Sequence, residues 1–173
     1  TLLRTCAGLL SIASGNAQVL GFDLCVDRRS VRSRIGMLGH ATGLYDELTV
    51  WDNVRFWARA AKADDADAAA AMARLDLDGR LRDVAVGRLS AGQRRRVSLA
   101  AMIARRPELW LLDEPHAGLD HQARDLVDNL VRDAAEHGAT VLMASHELDR
   151  SVELAHRVVT VAGGTVQEPV DAP

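Results

Sequence analysis

Leu109-Trp110-Leu111-Leu112-Asp113-Glu114-Pro115 is the stretch on which the fold turns. A short apolar run is closed by two acids, and Pro107 and Pro115 bracket it. Such a run predicts a strand buried on both faces, as in a parallel sheet. Open α/β sheets keep their ligands outside the carboxyl ends of their strands. Asp113 then stands at the rim of the sheet, where a carboxylate can orient Mg²⁺ through water. Glu114 falls where it can polarise a water for in-line attack on a phosphate. Taken alone, the same residues also fit an ordinary core strand whose acids cap the next helix.

One helix upstream stands Leu89-Ser90-Ala91-Gly92-Gln93. Ser90 at the N-cap with Gln93 at the third helical position is a capping box, in which each side chain satisfies a free backbone N–H of the other residue. Ala91 and Gly92 keep the entry small, so a large anion could approach the exposed N–H groups and the positive end of the helix dipole. With the acid pair one helix later, the combination becomes specific, and here the chain resembles the nucleotide-binding subunit of ABC transporters. Leu89-Ser90-Ala91-Gly92-Gln93 is similar to that family's signature loop, with Ala91 where Gly is usual, and Leu111-Leu112-Asp113-Glu114 to its Walker B strand. Gly118-Leu119-Asp120 resembles its D-loop and Ser145-His146-Glu147 its switch-histidine loop, in the family's order.

The resemblance implies an α/β fold, a P-loop NTPase-type parallel sheet flanked by helices, with a helical subdomain inserted over about 41–106 of a single domain. It implies an ATP-binding and ATP-hydrolysing subunit that powers export across the cytoplasmic membrane, with ATP and Mg²⁺ as cofactors. Glu114 and His146 are the catalytic residues it points to, and Asp113 holds Mg²⁺ through water. Thr1, His40, Ser90, Gly92, Gln93 and Asp120 are its nucleotide contacts. Its partners are transmembrane transporter subunits and a second ATP-binding subunit, identical or not, packed head to tail. Each site then combines Asp113, Glu114 and His146 of one subunit with Ser90 and Gly92 of the other. The location implied is peripheral, on the cytoplasmic face of the membrane.

Besides Ala91, the sequence departs from the family pattern in two places. The glycine-rich lysine loop that grips the β- and γ-phosphates would end just before Thr1, and it does not stand in the sequence. The expectation is a piece of a longer protein, inactive by itself, with Thr1 one residue past the hydroxyl that ligates Mg²⁺. His40 stands where a Gln normally contacts Mg²⁺, and imidazole is a poor Mg²⁺ ligand beside oxygen donors. Leu38-Gly39-His40 and Gly43 through Val50 resemble the haem exporters of cytochrome c maturation. The alternatives are a drug- or lipid-efflux ATPase and a non-catalytic partner that donates only the signature loop. Heads of chromosome-maintenance and DNA-repair ATPases share a similar loop, but their heptads and cysteine pairs are not found here.

Composition agrees with one domain: 173 residues, and a net charge of −3 from 21 basic and 24 acidic side chains. That balance, with no aromatics among the basic residues Arg28, Arg29, Arg32 and Arg34, gives no nucleic-acid signal, and the four arginines read as a solvated helix face. No apolar run reaches the roughly 18–20 residues of a membrane span. Cys6 and Cys25 read as buried free thiols in a reducing compartment.

Local patterns complete the reading. Residues 1–10 predict a helix weakened at Gly8, 17–22 an edge strand, and 35–39 a buried strand. Thr49 with Asp52 predicts a second capping box, ahead of a stripe of Val50, Val54, Trp57 and Ala61. That stripe puts Trp57 in the core and leaves Tyr45, Trp51 and Phe56 for a partner. Residues 64–73 read as a solvated helix, and Arg94, Arg95 and Arg96 as outward charges. Asp120 is the expected N-cap of a helix over 122–136, whose buried stripe is Val127, Leu130, Val131 and Ala134. Residues 140–144 predict another buried strand, 157–167 a hairpin, and 169–173 a polar tail.

Overall fold

The computed structural model describes residues 1–167 and the backbone of 170 and 171. In chain order its elements begin with α1 (Leu2–Cys6), β1 (Gln18–Val19), β2 (Phe22–Asp23), α2 (Arg28–Arg32) and β3 (Ile35–Leu38). Three helices follow, α3 (Val50–Ala60), α4 (Asp65–Ala73) and α5 (Ala91–Ile103), and then β4 (Leu109–Asp113), α6 (His121–Glu136) and β5 (Thr140–Ala144). The last elements are α7 (Leu148–Leu154), β6 (Arg157–Val158), β7 (Val161–Ala162), β8 (Thr165–Val166) and β9 (Val170–Asp171).

β4 is the middle strand of a parallel sheet ordered β3-β4-β5. Its side chains alternate between two apolar clusters. Trp110 and Leu112 join the cluster built by α3, α4, α5 and α6, whereas Leu109 and Leu111 join the one built by α1, α2 and Ile35. Both faces are therefore covered, and the strand reads as a continuous apolar run rather than an alternating one. Close approach of α5 to β3 depends on Gly36: a Cβ there would lie 2.6 Å from Met102 Cγ and 2.7 Å from Pro107 Cγ. The Met102 side chain can turn away, but the proline ring cannot. Gly36→Ala should therefore cost about 1–3 kcal/mol, read as a lower denaturant midpoint at unchanged slope.

β5 differs from expectation. Val141 and Met143 pack against the larger cluster, but Thr140, Leu142 and Ala144 on the other face are exposed. Apolar composition matches that of a two-sided strand, yet among the described residues only one face is covered.

α3, α4 and α5 pack on one another through the larger cluster. The inward face of α3 is Val50, Asn53, Val54 and Ala58, while Trp57 and Ala61 are only half-buried. Asn53 is 0% exposed and satisfies its amide fully. Its Nδ2 donates to the carbonyls of Tyr45 (2.9 Å), Thr49 (3.0 Å) and Leu48 (3.3 Å), and its Oδ1 accepts from the Tyr45 N–H at 2.8 Å. Each of the three carbonyls also accepts from a backbone N–H, so Asn53→Ala strands only the Tyr45 N–H, an expected loss of about 1–3 kcal/mol measurable by urea denaturation. Trp57 turns sideways instead, donating its indole N–H to the Gly43 carbonyl at 3.2 Å. Trp51 packs partly against the core, with the Arg82 guanidinium 4.0 Å above its ring, so it is less a partner surface than expected. Tyr45 and Phe56 are exposed and meet edge to face at 5.2 Å.

Several local expectations need correction. The Thr49 hydroxyl accepts from the Asp52 N–H at 3.0 Å, but the Asp52 carboxylate takes that same hydroxyl rather than a backbone N–H, so the box is half formed. α4 is not solvated all round; it buries Ala68, Ala71 and Met72. α1 is short because Gly8, at φ +65°, turns the chain away. The single edge strand at 17–22 is a hairpin, β1 against β2, closed by Leu20 and Gly21 with φ of 51° and 80°. Positive φ at both turn residues matches the twist of the strands. Cys25 is exposed and Cys6 half-buried; burial pushes the Cys6 thiol's pKa up. Part of the expected tail is strand, since residues 170 and 171 pair with β6, while Pro169, Ala172 and Pro173 lie outside the described residues.

Candidate active site

The acid pair emerges where β4 ends. Asp113 lies opposite Ala144 of β5, so Glu114 leaves the sheet beside Ser145 and His146. Glu114 sits in the left-handed region at φ +49°. For a residue with a Cβ this costs of order 1–3 kcal/mol and is held only where the surroundings over-determine it. Its N–H still continues the ladder, donating to the Ala144 carbonyl at 2.9 Å, while the chain turns. The His146 N–H donates to Glu114 Oε2 at 3.3 Å, and His146 Nε2 lies 3.5 Å from Oε1. The imidazole is otherwise open, its side chain 97% exposed. A cleft of ≈ 620 Å³ lies beside it, lined by Arg124, His146, Glu147, Leu148, Asp149 and Arg150.

Arg95 overturns the expectation of three outward arginines. It is 7% exposed and reaches under the rim of the sheet. Its guanidinium donates to the carbonyls of Gly39 (2.7 Å), Asp113 (2.5 Å) and Glu114 (2.6 Å). Burial pushes the guanidinium's pKa down, and the charges of Asp113 and Glu114 push against that. The bonds go to carbonyls, so Arg95 occupies neither carboxylate. Asp113's carboxylate accepts no hydrogen bond among the described residues and is half-exposed. Through Arg95 the loop after β3 is tied to the acids, and His40, exposed, stands next to the Gly39 carbonyl that the arginine holds. Arg94 pairs with Asp46 and Arg96 donates to the Leu75 carbonyl at 3.1 Å, so neither is a bare surface charge.

Ser90 forms the expected capping box. Gln93 N–H donates to its Oγ at 3.2 Å, and the Ser90 N–H donates to Gln93 Oε1 at 2.9 Å. Gln93's carbonyl oxygen is thereby occupied. Gly92 lies against the loop after β4: a Cβ there would be 3.0 Å from the Gly118 carbonyl oxygen. Asp120 caps α6, accepting from the Ala123 N–H at 2.9 Å. Thr1 is exposed at the start of α1, and its carbonyl accepts only from Thr5 within that helix. The structure thus brings together Asp113, Glu114, His146 and, through Arg95, His40. Gly92, two residues into the helix that Ser90 caps, lies at the 118–120 loop that ends in Asp120, and Thr1 has no hydrogen bond to either group among the described residues.

Sequence reasoning missed Arg95, and also His116, buried at the head of that loop, Asp128 on α6, and Arg150 on α7. Only Asp128 left a sequence signal, an acid set between Val127 and Val131 in an otherwise apolar stripe.

Adjacent parallel strands flanked by helices, carrying an acid pair and an imidazole at their carboxyl ends, make this an α/β protein with its candidate site at the strand ends. The model of the ABC transporter family matches residues 1–117, and the chain belongs to that family. It is 39% identical over 150 residues to the cytochrome c biogenesis ATP-binding export protein CcmA of Aliivibrio fischeri, covering 85% of this chain and 72% of that one. It is 37% identical to the energy-coupling factor transporter ATP-binding protein EcfA2 of Symbiobacterium thermophilum, over 96% of this chain and 60% of that one. The daunorubicin resistance ATP-binding protein DrrA3 of Streptomyces coeruleorubidus is 36% identical, over 96% of this chain and 54% of its own length. The chain therefore spans 54 to 72% of these relatives. Among solved structures, a dimeric ATP-binding cassette, MJ0796, in a post-hydrolysis state with ADP and Pi superposes with a TM-score of 0.89 at 20% identity. The match covers 99% of this chain and 79% of that one, which establishes the fold.

Proposed function

We propose that the protein is the ATP-hydrolysing subunit of an ABC transporter, with Glu114 activating the attacking water and His146 holding that water and the γ-phosphate. The observation that carries this reading is the meeting of Glu114 and His146 at 3.3 and 3.5 Å on neighbouring strand ends, with His146 also lining an open cleft. The Glu114 carboxylate takes the proton of water as its oxygen attacks the γ-phosphorus in line, the bond to the β–γ bridging oxygen breaks to release ADP, and the imidazole donates to the γ-phosphate oxygens. Asp113 fits a hard cation. Its oxygens are unpartnered, and no group of three His, Cys, Asp or Glu side chains among the described residues could cage a metal by itself. Mg²⁺ is held in that way, by one or two carboxylates with water and phosphate oxygens, and it supplies charge for the triphosphate.

In this proposal Ser90 and Gly92 serve the nucleotide of a second subunit, with Asp120 at the junction. Thr1, His40 and Gln93 remain proposed nucleotide contacts, Gln93 through its free amide nitrogen. If the intact Glu114→Gln protein still binds ATP while hydrolysis slows, it should accumulate as a dimer in ATP by light scattering. Adding Ser90→Glu should return it to monomer, and a mass unaffected by either change counts against the shared site. Helices α3–α5, within the proposed subdomain of about 41–106, would face the transmembrane partner. No helix among the described residues is long and apolar enough to cross a membrane, which suits a peripheral place on the cytoplasmic face.

For cargo we favour haem for cytochrome c biogenesis, on Leu38-Gly39-His40, the 43–50 segment and the likeness to CcmA. The likeness to DrrA3 supports drug efflux as the second reading. Disrupting the gene separates them: loss of covalently bound haem supports the first, and drug sensitivity with normal cytochromes c supports the second.

A further inference from the structure

The helix directly behind His146, α7, buries none of its side chains. Ionic ties to α6 hold it. Arg150 pairs with Asp128 Oδ2 and, from Nη1 and Nη2 at 3.1 Å each, with Asp125. Glu147, the N-cap of α7, accepts from Arg124 at 3.2 Å. Asp128 stands out among these α6 residues because it is only 6% exposed, on the apolar stripe that faces the core. Its second oxygen, Oδ1, lies 2.8 Å from His116 Nε2. An ionised carboxylate only accepts, so Nε2 carries the proton. His116 is 1% exposed and stands two residues after Glu114, and its Nδ1 is buried without a partner.

A carboxylate taken out of water costs several kcal/mol, offset only when its oxygens are paired and hydrogen-bonded; an apolar residue would fill the stripe without that cost. The paired charge nonetheless links two pieces of chain. One is the turn that leaves Glu114, and the other is the helix that follows His146. We propose that Asp128 is a positioning residue, whose carboxylate ties the Glu114 turn through His116 to α7 through Arg150, and so sets how His146 faces Glu114. The catalytic part of this inference rests on the roles proposed above for those two residues.

Arg150→Met cuts one tie and His116→Phe the other, and each spares the fold better than removal of the buried acid. In the intact protein both should lower kcat about tenfold or more, as expected of a small misplacement, with KM for ATP within about twofold. Arg150→Lys should recover most of the loss. In the nucleotide-free protein, amide hydrogen exchange over 145–147 should rise in both variants, because the His146 N–H loses its fixed acceptor. Unchanged kcat and unchanged exchange, with only a lower denaturation midpoint, would reduce the network to a stabilising contact and overturn the proposal. If Glu114→Gln leaves hydrolysis intact, the reading of the site fails. Exchange at His146 still decides the positioning role: raised in both variants it stands, unchanged it falls.

Discussion

Glu114→Gln should lower ATP hydrolysis by the intact protein at least about 10²-fold while nucleotide affinity stays within a few-fold, because general-base catalysis contributes about 10²–10⁴-fold and ground-state binding does not draw on it. The change is nearly isosteric. Gln keeps a carbonyl oxygen to accept the His146 N–H, now held by Oε2 at 3.3 Å, and it sits in the same left-handed backbone at φ +49°. Only the negative charge and its basicity disappear. Position and strain being unchanged, a large fall in kcat at steady KM assigns the loss to proton abstraction. Hydrolysis at the wild-type rate would return Glu114 to the plainer role of an acid at a strand end.

The largest effect on stability is expected at Arg95. Arg95→Met should cost about 2–4 kcal/mol, because it removes hydrogen bonds from a charged donor and leaves carbonyl oxygens at the sheet rim without a partner. Here the carbonyls of Gly39 and Asp113 lose the guanidinium, while that of Glu114 keeps the Ala117 N–H at 3.1 Å. Met fills much of the same volume, so the loss measures hydrogen bonding rather than a cavity. Arg95→Lys, with a compact ammonium in place of a planar fork, cannot serve all three at once and should fall between. Guanidinium denaturation of the three proteins gives the ranking. Equal midpoints for Arg and Met would mean that the rim of the sheet is held by packing alone.

The parts of the fold legible in the sequence are those where one rule acts without competition. β4 is readable because both its faces are covered, which turns alternation into a continuous run between two prolines. The α6 stripe and the Ser90 cap are readable because helical spacing and capping are local. Polar residues with distant partners are not. Arg94, Arg95 and Arg96 look alike in sequence, and only the position of the sheet rim relative to α5 turns Arg95 inward. Asn53 takes the core face of α3 in place of Trp57 because the 45–49 turn folds back onto it and offers its backbone, including a Tyr45 N–H bonded to the Asn53 Oδ1. β5 has the composition of a two-sided strand, but composition does not say whether an element covers each face. At the site, the motifs identified Glu114 and His146, but the Asp128 link behind them depends on contacts from three separate segments.

A double-mutant cycle in kcat tests most directly whether the acid and the imidazole act on one phosphate. Glu114→Gln, His146→Ala and the double variant of the intact protein are compared with wild type in ATP at saturation. Groups that serve the same transition state fail together, so the double variant should be little slower than the slower single one. Losses that multiply, or a His146→Ala enzyme as fast as wild type, would mean that the 3.5 Å approach of these side chains has no part in the chemistry.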